Sequence, residues 1–386
     1  MLERITYTDK NKILTVYPNG VYLNDAGQLI GASLPPLYLP PPHKFHTKAQ
    51  QTHPNPFFRP PPPSDDAMDE DQSSEEEEWS YPLKKYIKHA WMPACQTGPR
   101  ARQNGHWPWY PELRVRPGTR TLHTVDRIAG ETIRNATYKW LQGLADAQLT
   151  SELMNAGQLS DLALPDTELS ILDANDMHYL EHFYLNSATD VSRLLHSYAL
   201  TTVSKAFQLL MGIPPTHPLG QLLHFRQVYN RIPVEGARFD VLGLPALKES
   251  ELTMMVFVVP PWEKVENYMK DFALAGLIGD HSLDMNPSNH PPLRATILWA
   301  VIWQMCADNN CRYFTVTNYD QWIFGNLSQD LHTAQVTSPM KAPVFKKEST
   351  VTADQIPRPN ILECLLFWMG AATNHSLFPL PRNSAH

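Results

Sequence analysis

Between Pro35 and Pro63 the chain carries PPP at Pro40–Pro42 and PPPP at Pro60–Pro63, a composition that cannot build a packed core. Each proline fixes φ and removes a backbone donor, so the stretch favours polyproline II over helix or sheet. An acidic run follows at once: Asp65, Asp66, Asp69, Glu70, Asp71 and Glu75 to Glu78. Like charges repel, and the run has no apolar surface whose burial would offset the entropy of ordering it. Together these stretches predict a long disordered segment over 34–82. Ahead of it, Ile13–Asn24 alternates about Pro18-Asn19-Gly20. An Asn-Gly between ILTVY and VYLN predicts a β-hairpin within 1–33. Downstream, a basic and aromatic arm with a helical linker is expected at 83–175, and an α/β domain at 176–386.

The 386-residue chain has a formal charge of -7. The acids between Asp65 and Glu78 exceed that deficit, so the remainder is close to neutral and slightly positive. No bulk attraction to nucleic acid or membrane follows. The first residues, MLERITYTDKNK, are charged and lack the apolar core of a signal peptide. Four sparse cysteines, Cys95, Cys306, Cys311 and Cys364, read as free thiols in a reducing compartment. The expected location is therefore intracellular, cytoplasmic or nuclear. The apolar run Ile297–Cys306 is interrupted by Gln304 and falls short of the roughly 18 residues a membrane helix needs, so it reads as a buried helix.

Spacing alone points to no metal. Cys306 and Cys311 do not form a CxxC pair. His178 and His182 stand four apart, but Glu181 is misplaced for an HExxH pattern and no third ligand is identifiable. Nucleotide-binding glycine loops and the Gly-x-Ser-x-Gly elbow do not occur, which argues against a nucleotide cofactor and an elbow-type hydrolase.

Residues 84–127 concentrate Lys84, Lys85, Lys88, Arg100, Arg102, Arg114, Arg116, Arg120 and Arg127 among Trp91, Trp107, Trp109 and Tyr110. In one reading Arg100, Arg102, Arg114, Arg116 and Arg120 clamp phosphates of a nucleic acid while the rings stack on bases. In the other, an irregular arm packs its tryptophans on the main domain and solvates its arginines. Composition leaves both open.

Periodicity and punctuation predict helices over Arg127–Leu149, Asp176–Ala188 and Asp190–Met211, the last with Asp190 as its N-cap. Strands are expected at Leu222–Tyr229 and Arg238–Leu244. The apolar run Thr253–Val259 reads as a buried central strand. Helices at Trp262–Leu277 and Arg294–Asp308 follow. A strand pair at Tyr313–Thr317 and Gln321–Phe324, a mostly irregular stretch Leu327–Pro359 and a final helix Ile361–Thr373 complete the order. The order implies an α/β domain of three layers, with a mixed central sheet between helices.

That order carries Arg238-Phe239-Asp240 in its second strand, Pro261-Trp262 after its third, and Gln304 on the long helix that follows. It closes on Tyr313–Tyr319 and Trp322–Gly325. Over about 180–375 it resembles the PD-(D/E)XK nuclease superfamily, in particular uncharacterised basidiomycete fungal proteins of that type. The resemblance implies a restriction-endonuclease-like core with Asp240 and Gln304 at catalytic positions and a Glu-x-Lys on the third strand. Counting back from Trp262 puts those two positions on Phe257 and Val259, both apolar. Such nucleases hold Mg²⁺ on two carboxylates, and the ion activates a water and stabilises the scissile phosphate. Asp240 alone leaves too little charge for that.

The resemblance therefore implies a degenerate domain, a pseudoenzyme without a cofactor, that binds nucleic acid or protein. Two alternatives stand beside it. One is an active Mg²⁺-dependent nuclease whose carboxylate has moved to Glu235, Glu251 or Glu263, with Lys264 near. The other is a protein-interaction scaffold with no nucleic-acid role. Asp240 reads equally as a strand carboxylate bonded to a backbone N–H, and Gln304 as a helix amide satisfying a strand edge.

Overall fold

The computed structural model describes the backbone of residues 5–9, 12–16, 21–23 and 29–32. It also describes residues 80–98, 115–150, 162, 164–165, 184–213, 222–228, 239–246, 251–261, 268–274, 276–278, 282–284, 294–345 and 351–383. The chain divides into two units, Met1–Glu75 and Glu76–His386.

In the first unit, Ile5–Asp9, Lys12–Val16, Val21–Leu23 and Leu29–Ala32 pair in chain order, all antiparallel. The expected hairpin pairing is present, with Thr15 opposite Leu23 and Val16 opposite Tyr22. It forms the middle of a four-stranded meander rather than a lone hairpin. Asn19-Gly20, the proline-rich stretch and the acidic run lie outside the described residues.

The second unit is mixed α/β, built on a nine-stranded sheet. In chain order its strands are β1 (Thr124–Ile128), β2 (Arg226–Gln227), β3 (Asp240–Pro245), β4 (Leu252–Val258), β5 (Gly276–Leu277), β6 (Tyr313–Thr317), β7 (Gln321–Leu327), β8 (Thr333–Thr337) and β9 (Met340–Lys341). They lie side by side as β2-β3-β4-β6-β7-β8-β1-β5, with β9 also on β7. β4–β6 and β8–β1 are parallel and the other pairs antiparallel.

Seven helices are described here: α1 (Leu83–His89), α2 (Gly130–Gly143), α3 (Ala188–Leu195), α4 (Thr201–Leu210), α5 (Tyr268–Ala273), α6 (Arg294–Asp308) and α7 (Ile361–Thr373). A π-helical turn, His196–Leu200, joins α3 to α4.

Alternation along the strands sorts their side chains into two cores. Leu242, Leu244, Met254, Val256, Val258, Tyr313 and Phe324 face a layer made by α1, α2, α3, α4 and α7. Val241, Met255, Phe257, Val259, Phe314, Val316 and Ile323 face the opposite layer, which holds α5 and α6. β4 is therefore covered on both sides, which is why its sequence beyond Thr253, MMVFV, is an unbroken apolar run and not an alternating one. α6 is apolar around most of its circumference because the sheet, α5 and the short turn Ser282–Asp284 enclose it. Trp368 at the centre of α7 packs against Tyr313, Phe324 and Phe378 and donates its indole N–H to Phe314 O at 3.1 Å. Trp299 of α6 does the same on the other side, stacked on Phe272 and donating to Phe272 O.

Three expectations are corrected. The described parts of 83–175 do not form an arm outside the α/β domain. β1 lies inside the sheet, parallel to β8 over Thr333–Thr337, and α1 is fastened to the start of α7 through Asn360 Nδ2 to Ile87 O. The helix expected from Arg127 starts at Gly130, because TVDRI alternates with Val125 on one face and Ile128 on the other. Within the mostly irregular stretch Leu327–Pro359, Thr333–Thr337 and Met340–Lys341 are sheet strands. Finally, Ser187 rather than Asp190 caps α3. Ser187 Oγ accepts from Asp190 N and the Asp190 carboxylate accepts from Ser187 N, a reciprocal capping box.

Gly325 in β7 faces Phe314 and Val336, and a Cβ there would enter the Phe314 ring and come within 2.9 Å of Val336 Cγ1. Both neighbours are held in the closed core, so Gly325→Ala is expected to lower stability by about 1–3 kcal/mol. Urea denaturation with an unchanged midpoint would contradict the packing described.

Candidate functional site

Asp240 opens β3 and is 5 % exposed. Across β4 it opposes Val258, and it shares its face with Leu242 and Leu244. Its carboxylate accepts from Gln227 Nε2 at 3.1 and 3.2 Å and from Val241 N at 2.9 Å. Gln227 lies in β2 opposite Leu242, so its side chain is on the same face and diagonal to Asp240, within reach across one strand. The carboxylate thus has the backbone bond expected of a strand aspartate, and a side-chain donor that Gln227 gives no sequence-level sign of supplying.

Phe257 and Val259 are fully buried, but on the opposite face from Asp240, in the core with α5 and α6. The side chains of β4 that share the face of Asp240 are Met254, Val256 and Val258. The register counted from Trp262 is therefore off by one residue relative to the face of the carboxylate. Both registers are apolar, so neither offers a carboxylate or a lysine.

Glu251 lies just before β4, at the end away from Val258. Seven strand residues at about 3.3 Å each separate the two ends, roughly 23 Å. Its Oε1 accepts from Asn310 Nδ2 at 3.0 Å. It does not reach Asp240. Glu235, Glu263, Lys264 and Trp262 lie outside the described residues, as do His178 and His182.

Gln304 is not brought to Asp240. It lies on α6, which covers the other face of the sheet. Gln304 Oε1 accepts from Arg120 Nη2 at 3.2 Å and its Nε2 donates to Asp308 Oδ1 at 2.9 Å. It is a helix amide tying down a connecting segment rather than a strand edge. The partner is Arg120, 4 % exposed, whose Nη1 donates to Leu283 O at 2.6 Å. Asp284, fully buried, accepts from Arg120 N at 3.0 Å and from Gly118 N at 2.7 Å. Burial pushes the Arg120 guanidinium below its ordinary pKa, and the charges of Asp284 and Asp308 pull it back. Arg120 is therefore a buried strut and not a phosphate clamp. Arg116 is exposed in the turn before it, while Arg100, Arg102 and Arg114 lie outside the described residues.

The tail motif is also structural. Thr317 Oγ1 accepts from Tyr319 N at 3.0 Å and Asn318 Oδ1 from Gln321 N at 2.8 Å. These bonds hold a tight turn with Tyr319 at φ 78°. The Tyr319 hydroxyl reaches Pro93 O at 2.7 Å and Trp322 Nε1 bonds back to Tyr319 O. The turn thus anchors the segment after α1.

A metal does not fit these donors. Among the described residues no group of three or more His, Cys, Asp or Glu side chains is placed to hold an ion. Both oxygens of Asp240 already accept an amide, and its neighbours across β4 are valines. Cys306 and Cys311 are buried thiols, and burial raises Cys306 well above its ordinary pKa, the reverse of what a thiolate ligand requires. Comparison with protein-family models, curated proteins and solved structures returned no match.

Because Arg120 is buried and hydrogen-bonded, Arg120→Ala is expected to cost about 3 kcal/mol. Arg116→Ala, at an exposed turn, should stay within about 0.5 kcal/mol of the native protein. Equal effects of the two substitutions in urea denaturation would refute the assignment of Arg120 as a strut.

Proposed function

We propose that residues 176–386, together with the sheet strand supplied by Thr124–Ile128, form a non-catalytic nuclease-like domain that works as a binding module. The element order supports the restriction-endonuclease-like reading: a helix, strands β2, β3 and β4, the helix α6, then the β6–β7 pair. The observation that carries the loss of catalysis is the surroundings of Asp240. Among the described residues it has no carboxylate partner; it is held by Gln227, beside a strand with no charged side chain on either face. One carboxylate does not offset the cost of dehydrating Mg²⁺, which retains water reluctantly released and needs further hard oxygens. In this reading the domain needs no cofactor.

The partner favoured is a protein. Arg120, one of five arginines expected to grip phosphates, is committed to Leu283 and Gln304. Removing it from the surface reduces the basic footprint that nucleic-acid binding depends on.

The test is cleavage of single- and double-stranded DNA and RNA by the purified chain with Mg²⁺ or Mn²⁺. The expected result is no turnover above that of Asp240→Ala. Cleavage that Asp240→Ala abolishes would overturn the proposal and restore an active nuclease with a relocated carboxylate.

A further inference from the structure

Helices α1, α2, α4 and α7 leave a cavity of 320 Å³ between them on the second unit. Its walls are aliphatic: Ile87, Leu141, Leu210 and Leu366. Ile87, Leu210 and Leu366 are buried members of the core, so the cavity opens directly onto it. Tyr138 stands at its edge and is 61 % exposed, one of the few large hydrophobic side chains among the described residues to face water. Exposing an aromatic ring beside an open aliphatic hollow has a cost that a binding surface recovers on docking.

The rim is basic. Lys84, Lys85 and Lys88 line it against a single acid, Glu363. Lys84 Nζ donates to Leu144 O, a carbonyl that closes the end of α2 and leaves the ammonium charge intact. Lys85 Nζ lies 5.0 Å above the Tyr81 ring. Glu363 is occupied within its own helix start, accepting from Asn360 N at 2.8 Å, and it lies close to both Lys88 and Arg358. The acid on the rim is thus outnumbered.

We infer that this hollow is the docking site for an acidic segment of a partner protein. One apolar side chain of that segment would fill the space between Leu141 and Leu366, and flanking carboxylates would meet Lys85 and Lys88. Charge complementarity selects an acidic partner, and the aliphatic walls select an apolar anchor. A nucleic acid is disfavoured because it needs a cationic track along a backbone, and here the centre is hydrocarbon. The inference stands on this surface alone and does not depend on whether Asp240 has lost its chemistry.

The test is fluorescence anisotropy on the full chain with a labelled peptide in which glutamates flank a central leucine–tryptophan pair. Lys85→Gln/Lys88→Gln should weaken binding about tenfold, and Tyr138→Ala several-fold. These side chains are at or near the surface, so unchanged melting temperatures will show that each variant is folded. A peptide with alanines in place of the leucine and tryptophan should bind no better than the double-lysine variant. Three results would overturn the inference: binding indifferent to the lysines, binding indifferent to the anchor, or a single-stranded oligonucleotide binding more tightly and losing affinity in the same variants. Self-association abolished by Tyr138→Ala would also overturn it and assign the surface to a second copy of the chain.

Discussion

A strand enclosed between two helical layers has no water on either side. Every side chain it carries must then be apolar or fully paired, since an uncompensated charge buried there costs far more than a fold can spare. β4 obeys that constraint along its whole length. Its neighbours follow from it: α6 and α5 must be apolar to cover one face, and α3, α4 and α7 to cover the other. The same constraint leaves β4 without a charged side chain. A Glu-x-Lys in such a position is stable only where an opening admits solvent, an ion or substrate, and β4 is closed at Phe257 by Phe314 and at Val256 and Val258 by the opposite layer.

Polar groups are accordingly moved to strand ends and connections. Asp240 stands at the first residue of β3, where β2 can supply Gln227. Asp284 stands at the end of a short turn and collects two backbone N–H groups of the segment before β1. Asn318 and Thr317 take up the backbone donors of a turn. Each is a carboxylate, amide or hydroxyl that satisfies backbone which regular structure leaves unpaired, and none is positioned as part of a cluster with a shared target.

Much of the second unit was legible from periodicity. Arg294–Asp308, Tyr313–Thr317 and Ile361–Thr373 match the observed elements residue for residue, and the central strand is displaced by one. Long apolar segments have one way to be buried, and their ends are marked by Pro260-Pro261, Asn318 and Asn360. The strand at Thr124–Ile128 was missed because its partner, Thr333–Thr337, is distant in sequence and as weakly apolar as itself. Each gains its place from the other, and neither pattern stands out alone. The candidate site was less legible for the same reason. Asp240 could be read from its strand, but which face it took depended on a register with β4 that a count from Trp262 misplaced by one residue. Arg120 carried a charge that composition assigned to the surface, and only the placement of Asp284 and Gln304 reveals that it is interior.

The pairing of β1 with β8 has a consequence for how the protein is made. Thr124 meets Thr333 about 200 residues later in the chain. At the usual ribosomal pace of roughly 5–20 residues per second, β1 waits on the order of 10–40 s for its partner to emerge. During that time one edge of the strand is unsatisfied and its apolar residues Val125 and Ile128 have no sheet to join. Closing so large a loop is also entropically slow. Assembly of this half of the sheet is therefore a late event in synthesis. A nascent chain halted before Thr333 presents a strand edge open to other chains, so the interval is one in which a cell's holding chaperones have something definite to protect.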